Sequence, residues 1–255
     1  MMPELKHLFD EEGRLAMGIA LRSRPLLVFD FDGTLAPIVA RADDARVTAA
    51  VAERLCRLAR IRPLGVVTGR AVDDVTRRLG FTPRFIVGNH GAEDADLAPA
   101  FDVAPLALVR ARVLAHAEEL RMASIVIEDK RYSLALHYRL ATSPQQAVGL
   151  IEAMLADLPS ALRCYAGKCV VNVVVSAAPD KCDAITSLVE RAGCALAVFV
   201  GDDVNDEPVF ERAERNWLTV RVGRDDPNSR AGFFLDSEAE VAVLLDWMLA
   251  ELESH

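Results

Sequence analysis

The sequence predicts an α/β protein in which helices flank a parallel sheet that is interrupted once by a small second domain. Three observations carry that expectation. Short unbroken apolar runs at Leu26-Leu27-Val28-Phe29, Leu64-Gly65-Val66-Val67 and Leu196-Ala197-Val198-Phe199-Val200 have strand length and no polar alternation. Such runs read as strands buried on both faces, the condition of a parallel sheet. Stretches with helical spacing separate them, and from about residue 100 the order changes to helix-strand-strand, twice over. That change marks an insertion, which divides the chain into a core (1–100), a second domain (101–177) and the rest of the core (178–255).

Taken in order, residues 4–22 read as an amphipathic helix leading into the strand Leu26–Phe29. Pro37 and Asp43-Asp44 mark a loop. Val47, Val51, Leu55 and Leu58 give residues 47–60 helical spacing. The strand ending at Val67 runs into Thr68-Gly69-Arg70, then a helix over 71–79 stopped by Gly80. A third strand, Arg84-Phe85-Ile86-Val87, meets Gly88-Asn89-His90-Gly91, a tight loop that presents an imidazole. In the insertion come a helix (103–121) and strands over 124–129 and 132–138, then a helix (143–157) and strands over 161–166 and 169–176. Tyr132 to Tyr138 alternates and reads as a half-exposed antiparallel strand. The core resumes with a helix over 180–192, the strand ending at Val200, a strand over 217–222, Phe233-Phe234-Leu235 and a last helix near 237–252.

The chemistry concentrates where strands end, the place where open α/β sheets bind ligands. Asp30 and Asp32 follow the first strand with Phe31 between them, and Gly33 lets the backbone turn away. Two carboxylates so close can divide labour, one attacking phosphorus and the other moving a proton. An acidic turn gives the same letters, and a calcium loop shares the D-x-D-G pattern but lacks its later Glu. Thr68 with the helix start behind it reads either as a seat for phosphate or, taken alone, as an ordinary strand-to-helix turn. Gly201-Asp202-Asp203-Val204-Asn205-Asp206-Glu207 puts three aspartates and a glutamate at a buried strand's end. An acidic helix cap accounts for one or two of these, whereas an oxygen-only cluster suits Mg²⁺.

Composition narrows the classes. A formal net charge of −9 disfavours a general nucleic-acid binder, which needs a basic face. No apolar run approaches the ~18 residues of a membrane span, and the acidic N-terminus lacks a signal-peptide core. Five cysteines without metal-type spacing fit reduced thiols, so a cytoplasmic setting is expected. Of the 29 basic residues only Lys6, Lys130, Lys168 and Lys181 are lysines. Three of these fall in the insertion or at the start of the 180–192 helix, which hints at a need for a compact ammonium there.

Together Asp30-Phe31-Asp32-Gly33-Thr34-Leu35, Thr68-Gly69-Arg70, Lys181 and the Gly201–Glu207 run resemble the four ordered motifs of haloacid-dehalogenase (HAD) phosphatases. Gly88-Asn89-His90-Gly91-Ala92-Glu93 and the stretch from Glu128 to Arg139 resemble the trehalose-6-phosphate phosphatases within that superfamily. The resemblance implies a Rossmann-like HAD core with a C2-type α/β cap. It also implies Mg²⁺-dependent hydrolysis of trehalose 6-phosphate to trehalose and phosphate through an aspartyl-phosphate. Asp30 would be the nucleophile and Asp32 the acid. Mg²⁺ would be held by the Asp30 carboxylate, the Asp32 carbonyl and Asp202, with Asp203 and Asp206 in support. Thr68, Gly69 and Lys181 would hold the phosphoryl group, while His90, Glu128 and Lys130 would lie toward the sugar. The sequence departs from the family at Asn172, where a sugar-contacting glutamate is usual, at Cys182 for glycine and at Asn205 for threonine. The alternatives are a phosphatase or phosphomutase for another sugar phosphate, and a sugar-phosphate sensor without catalysis. The implied partner is a small sugar phosphate, without nucleic acid or membrane, and the expected state is a monomer.

Overall fold

The structure is a computed structural model that describes residues 6–254 apart from residues 40, 168 and 225, so Lys168 lies outside the described residues. In chain order the core opens with β1 (Lys6–His7), α1 (Glu11–Arg22), β2 (Leu26–Phe29), α2 (Ala49–Ile61), β3 (Leu64–Val67), α3 (Val72–Thr76), β4 (Phe85–Gly88) and β5 (Glu93–Asp94). The insertion contributes α4 (Leu106–Ala115), α5 (Ala117–Met122), β6 (Val126–Asp129), β7 (Ser133–His137), α6 (Pro144–Met154), β8 (Leu162–Gly167) and β9 (Val170–Val175). The core closes with α7 (Lys181–Ala192), β10 (Ala197–Gly201), α8 (Glu207–Arg212), β11 (Leu218–Val222), β12 (Phe233–Leu235) and α9 (Glu238–Glu253). Two compact units result, one made of Met1–Leu97 with Pro179–His255, the other of Ala98–Ala178.

The core sheet has the order β1-β12-β11-β10-β2-β3-β4-β5. Every pairing is parallel except β4 with β5. The apolar run of β2 is explained by its two faces. Leu27 and Phe29 pack into a layer with Met17, Leu55, Leu58 and Leu245, while Leu26 and Val28 pack on the other side with Ile185 and Leu188 of α7. All four β2 residues are fully buried, and each such side chain contributes roughly 1.5–3 kcal/mol. Local signals place the helices. Thr48 accepts from Val51 N ahead of α2, and Asp180 accepts from Cys182 N and Asp183 N ahead of α7.

The insertion is an antiparallel sheet, order β6-β7-β9-β8. Its apolar face carries Leu134, Leu136, Val173 and Val175, all buried, and α4 packs against β7 and β9.

Some expected elements are shorter or differently bounded. The 4–22 helix begins only at Glu11, because Asp10 is extended and residues 6–7 pair with β12 instead. The 71–79 helix ends at Thr76, and the 103–121 helix breaks at His116, whose backbone leaves helical geometry. Among the described residues no helix is long and apolar enough to cross a membrane.

Candidate active site

Because β2, β3, β4 and β10 run parallel, their carboxyl ends reach one edge of the sheet. Asp30 follows β2, Thr68 follows β3, Asn89 and His90 follow β4, and Asp202 follows β10. The Asp30 N–H donates to Val200 O at 2.9 Å, which ties the first of these ends to the last. Asp30, Asp202 and Asp206 are buried, and one carboxylate oxygen from each lies within 4.8 Å of the others. Lys181, at the start of α7 and 2% exposed, lies 3.0 Å from Asp30 Oδ1 and donates to Asp206 Oδ1 at 2.7 Å.

The electrostatics follow from crowding. Burial pushes the Asp30 carboxyl well above its ordinary value; Lys181 opposes this, while Asp206, Asp202 and Asp32 add to it. Burial works against charge on Lys181 too, but Asp206 and Asp30 outweigh it and push the ammonium pKa up. Three buried carboxylates around one ammonium are short of positive charge. With only oxygen donors, the set fits a hard divalent cation such as Mg²⁺. The backbone at Gly33, with φ 78°, leaves room for the Asp202 carboxylate, which a Cβ there would overlap.

The acidic run after β10 splits into two jobs. Asp202 and Asp206 face Asp30, whereas the Asp203 carboxylate is outside that group. Asp203 N–H donates to Asp206 Oδ2 at 2.9 Å, and Asp203 Oδ2 accepts from Asn205 Nδ2 at 2.9 Å. Glu207 pairs with the buried Arg221, Oε1 to Nη1, at 2.9 Å. Asp203 and Asp206 together cap this turn, Asp206 also reaching Lys181, and Glu207 holds Arg221, so capping accounts for part of the run and leaves Asp202 to the cluster with Asp30.

Around Thr68 the chain is tightly packed. Thr68 is fully buried, and its Oγ1 accepts from Arg70 N at 3.2 Å, which leaves the hydroxyl proton to donate elsewhere. His90 N–H donates to Thr68 O at 2.9 Å, and the His90 imidazole lies so close over Gly69 that a Cβ there would overlap the ring. Asn89 and His90 both take left-handed φ, 50° and 58°. Glu93 stabilises this strained turn by accepting from Asn89 Nδ2 at 2.7 Å and Val72 N at 2.9 Å.

Asp32 is placed differently from Asp30. Its side chain is 43% exposed and turned to Arg70, with Nε donating to Oδ2 and Nη2 to Oδ1, both at 2.7 Å. Arg70 Nη1 donates to Asp74 Oδ2 at 2.8 Å. Burial disfavours charge on Arg70, but Asp32 and Asp74 outweigh it and keep the guanidinium charged.

Within the inserted unit, Glu128, Ala135, Asn172 and Tyr165 stand directly opposite one another across β6, β7, β9 and β8. Residues opposite in antiparallel pairs share a face, so these four form one row, with small Ala135 between Glu128 and Asn172. Asn172 is buried. His137 Nε2–H donates to Glu128 Oε2 at 3.0 Å, and Lys130 Nζ lies 3.6 Å from the same oxygen. Partial burial would raise the Glu128 carboxyl, but the His137 hydrogen bond and the Lys130 charge hold it below its ordinary value.

Residues 28–238 match the family model described as trehalose-phosphatase. The chain belongs to the trehalose-phosphatase family. A trehalose-phosphate phosphatase of Mycolicibacterium paratuberculosis is 32% identical over 262 residues, covering 93% of this chain and 65% of the relative. One from Mycobacterium tuberculosis H37Rv is 32% identical over 254 residues, covering 93% and 64%. The chain therefore spans a little less than two thirds of the length of these relatives. Among solved structures, the C-terminal domain of C. albicans trehalose-6-phosphate phosphatase superposes with a TM-score of 0.80 at 19% identity, covering 97% of this chain and 99% of that one. A phosphatase of the haloalkanoate (HAD) superfamily from Bacteroides thetaiotaomicron gives 0.61 at 16% identity, covering 89% and 94%. These likenesses establish the HAD fold, an α/β core with an inserted antiparallel unit.

The sequence alone does not single out Arg70, Glu93, His137 or Tyr165, although the first three lie inside the Thr68–Arg70, Gly88–Glu93 and Glu128–Arg139 motifs. Tyr165 is legible only through strand register, because its row partner Asn172 lies on the next strand.

Proposed function

We propose that this chain hydrolyses trehalose 6-phosphate to trehalose and phosphate, with Mg²⁺, through an aspartyl-phosphate on Asp30. The observation that carries the reading is the buried Asp30 carboxylate grouped with Asp202 and Asp206 and contacting Lys181 at 3.0 Å. An Asp30 oxygen attacks phosphorus and the bond from phosphorus to the sugar oxygen breaks. Asp32 supplies the proton to that departing oxygen. Water then attacks the aspartyl-phosphate, Asp32 takes the proton, and Asp30 and phosphate are restored. Lys181, Thr68 and the Gly69 amide hold the phosphoryl oxygens. Asp30, the Asp32 carbonyl and Asp202 would hold Mg²⁺, with Asp206 and Asp203 fixing the loop behind them. When bound, the cation neutralises the carboxylates and charge developing on the phosphoryl group.

Phosphate release across a panel of sugar phosphates, with Mg²⁺ and with EDTA, tests the reading. Trehalose 6-phosphate is expected to lead the panel, EDTA to silence release, and added Mg²⁺ to restore it. Undiminished release in EDTA would rule out the metal, and a strong preference for another sugar phosphate would replace the substrate. We further take the cytoplasm and a monomer as the setting of this activity, and size-exclusion chromatography checks the second.

Sugar recognition is assigned to His90 in the core and to Glu128, Lys130 and Asn172 in the cap. A carboxylate accepts stronger hydrogen bonds from hydroxyls than an amide does, roughly twofold in strength. Asn172→Glu is therefore expected to raise kcat/KM for trehalose 6-phosphate about tenfold, one regained charged bond of ~1.4 kcal/mol. Lys130→Ala is expected to raise KM for the disaccharide ester far more than for a small phosphate ester. If Asn172→Glu lowers kcat/KM, the amide is matched to a different sugar.

A further inference from the structure

We propose that Arg70 is the positioning residue of the acid Asp32, gripping its carboxylate rather than binding substrate phosphate. The inference rests on the reading of Asp32 as the acid. Three observations support it. The guanidinium fork is committed to carboxylates, with Nε and Nη2 on the two oxygens of Asp32 and Nη1 on Asp74. The plane of the fork is fixed from several sides. Arg70 lies 5.2 Å from the Phe31 ring centroid, and Asp74 is itself held by Arg78 through Nε at 2.9 Å and Nη2 at 2.6 Å. Arg78 in turn donates to Asp43 Oδ1 at 3.1 Å, in the loop that follows Asp32. A ladder of alternating charge thus runs from Asp32 through Arg70, Asp74 and Arg78 to Asp43.

The functional need is specific. Asp32 sits past the end of β2 with nearly half its side chain exposed, where a carboxylate has rotamer freedom that β2 does not remove. Proton delivery to a sugar oxygen demands one orientation. A planar fork fixes a carboxylate in position and in plane, which a lysine's single ammonium cannot do. Each Asp32 oxygen takes one Arg70 bond and keeps a second lone pair, so the proton can come and go while the fork holds the carboxylate. The charge of Arg70 is also spoken for twice over, by Asp32 and Asp74, which suits it poorly to a third anion.

The test compares two esters, trehalose 6-phosphate, whose sugar alkoxide must be protonated to leave, and p-nitrophenyl phosphate, whose phenolate leaves unaided. Asp32→Asn is expected to lose roughly 10²–10⁴ in kcat on the sugar ester and far less on the aryl ester. Arg70→Gln is expected to show the same split at about 10–100-fold, with KM within about threefold. Arg70→Lys should recover only part. The double variant Asp32→Asn/Arg70→Gln should be no worse than Asp32→Asn alone, because Arg70 acts only through Asp32. Should Arg70→Gln fold poorly by its melting curve, Arg70→Lys carries the same comparison. Inorganic phosphate binding, measured by calorimetry, should be unchanged in both, and this readout needs no turnover. A tenfold loss of phosphate affinity, or losses equal on both esters or multiplicative with Asp32→Asn, would show that Arg70 is a phosphate ligand. If Asp32→Asn itself shows no split, the acid assignment falls and the proposal falls with it; a normal Asp32 split with none for Arg70 sinks the proposal alone.

Discussion

Asp30→Asn is expected to reduce phosphate release to background while raising the melting temperature of the metal-free protein. The first half follows from losing the attacking oxygen, because an amide cannot form the aspartyl-phosphate. The second follows from the crowding at the strand ends. Asp30 shares a buried site with Asp202 and Asp206, and burial with these neighbours lifts its carboxyl well above the ordinary range. A group whose pKa is higher in the folded state favours folding at low pH, and that contribution is lost as pH rises through the raised value. At neutral pH the metal-free wild type has lost some of that contribution, and an amide, which does not ionise, has none to lose. Mg²⁺ should accordingly raise the wild-type melting temperature more at neutral than at acid pH, and raise that of Asp30→Asn less. Residual turnover in Asp30→Asn close to wild type would end the covalent reading. A lower metal-free melting temperature would show that Lys181 needs the Asp30 charge more than the acidic group needs relief from it.

Lys181→Met should be the most damaging single change to stability at the site. The ammonium contacts Asp30 at 3.0 Å and Asp206 at 2.7 Å, with almost no exposure to water. Removing one partner of a buried ion pair costs about 3–5 kcal/mol, because the remaining charge stays buried without it. Methionine fills most of the volume, so a cavity adds little. Urea unfolding of the metal-free protein reads the loss, and activity should vanish with it. Adding Asp206→Asn should return part of the stability and none of the activity. A Lys181→Met protein within about 1 kcal/mol of wild type would mean that the carboxylates already carry protons there.

The core was legible because a parallel sheet writes itself in apolar runs. Leu26–Phe29 and Ala197–Gly201 are buried on both faces and have no polar alternation to confuse them. The insertion was legible through the change to helix-strand-strand order and the alternation in β7. Short or edge pieces were not. β1 and β5 have two residues each, too few for any period, and exist because a neighbouring strand offers hydrogen bonds. At the site, strand ends marked Asp30 and Asp202 in the sequence, whereas Lys181 was marked by resemblance to the family's motifs. The sequence could not separate Asp206, which faces Asp30, from Asp203, which is occupied at the loop; both are aspartates in one run. Nor could it pair Asp32 with Arg70, since a bidentate bond between residues 38 apart leaves no local trace.

The insertion also sets an order of events in folding. Residues 98–178 are contiguous, and the antiparallel pairings of β6, β7, β9 and β8 are closed largely within them, so that unit can form as soon as it is synthesised. The core cannot. β2, at residues 26–29, is flanked in the finished sheet by β3 and by β10, and β10 begins at residue 197. Until that strand emerges, one edge of Leu-Leu-Val-Phe waits with its backbone groups unpaired. An exposed apolar edge of this kind is a template for pairing with another chain. Chains truncated before residue 197 should therefore aggregate through β2 even where the inserted unit is intact, and docking of β10 beside β2 should be the slow step of refolding.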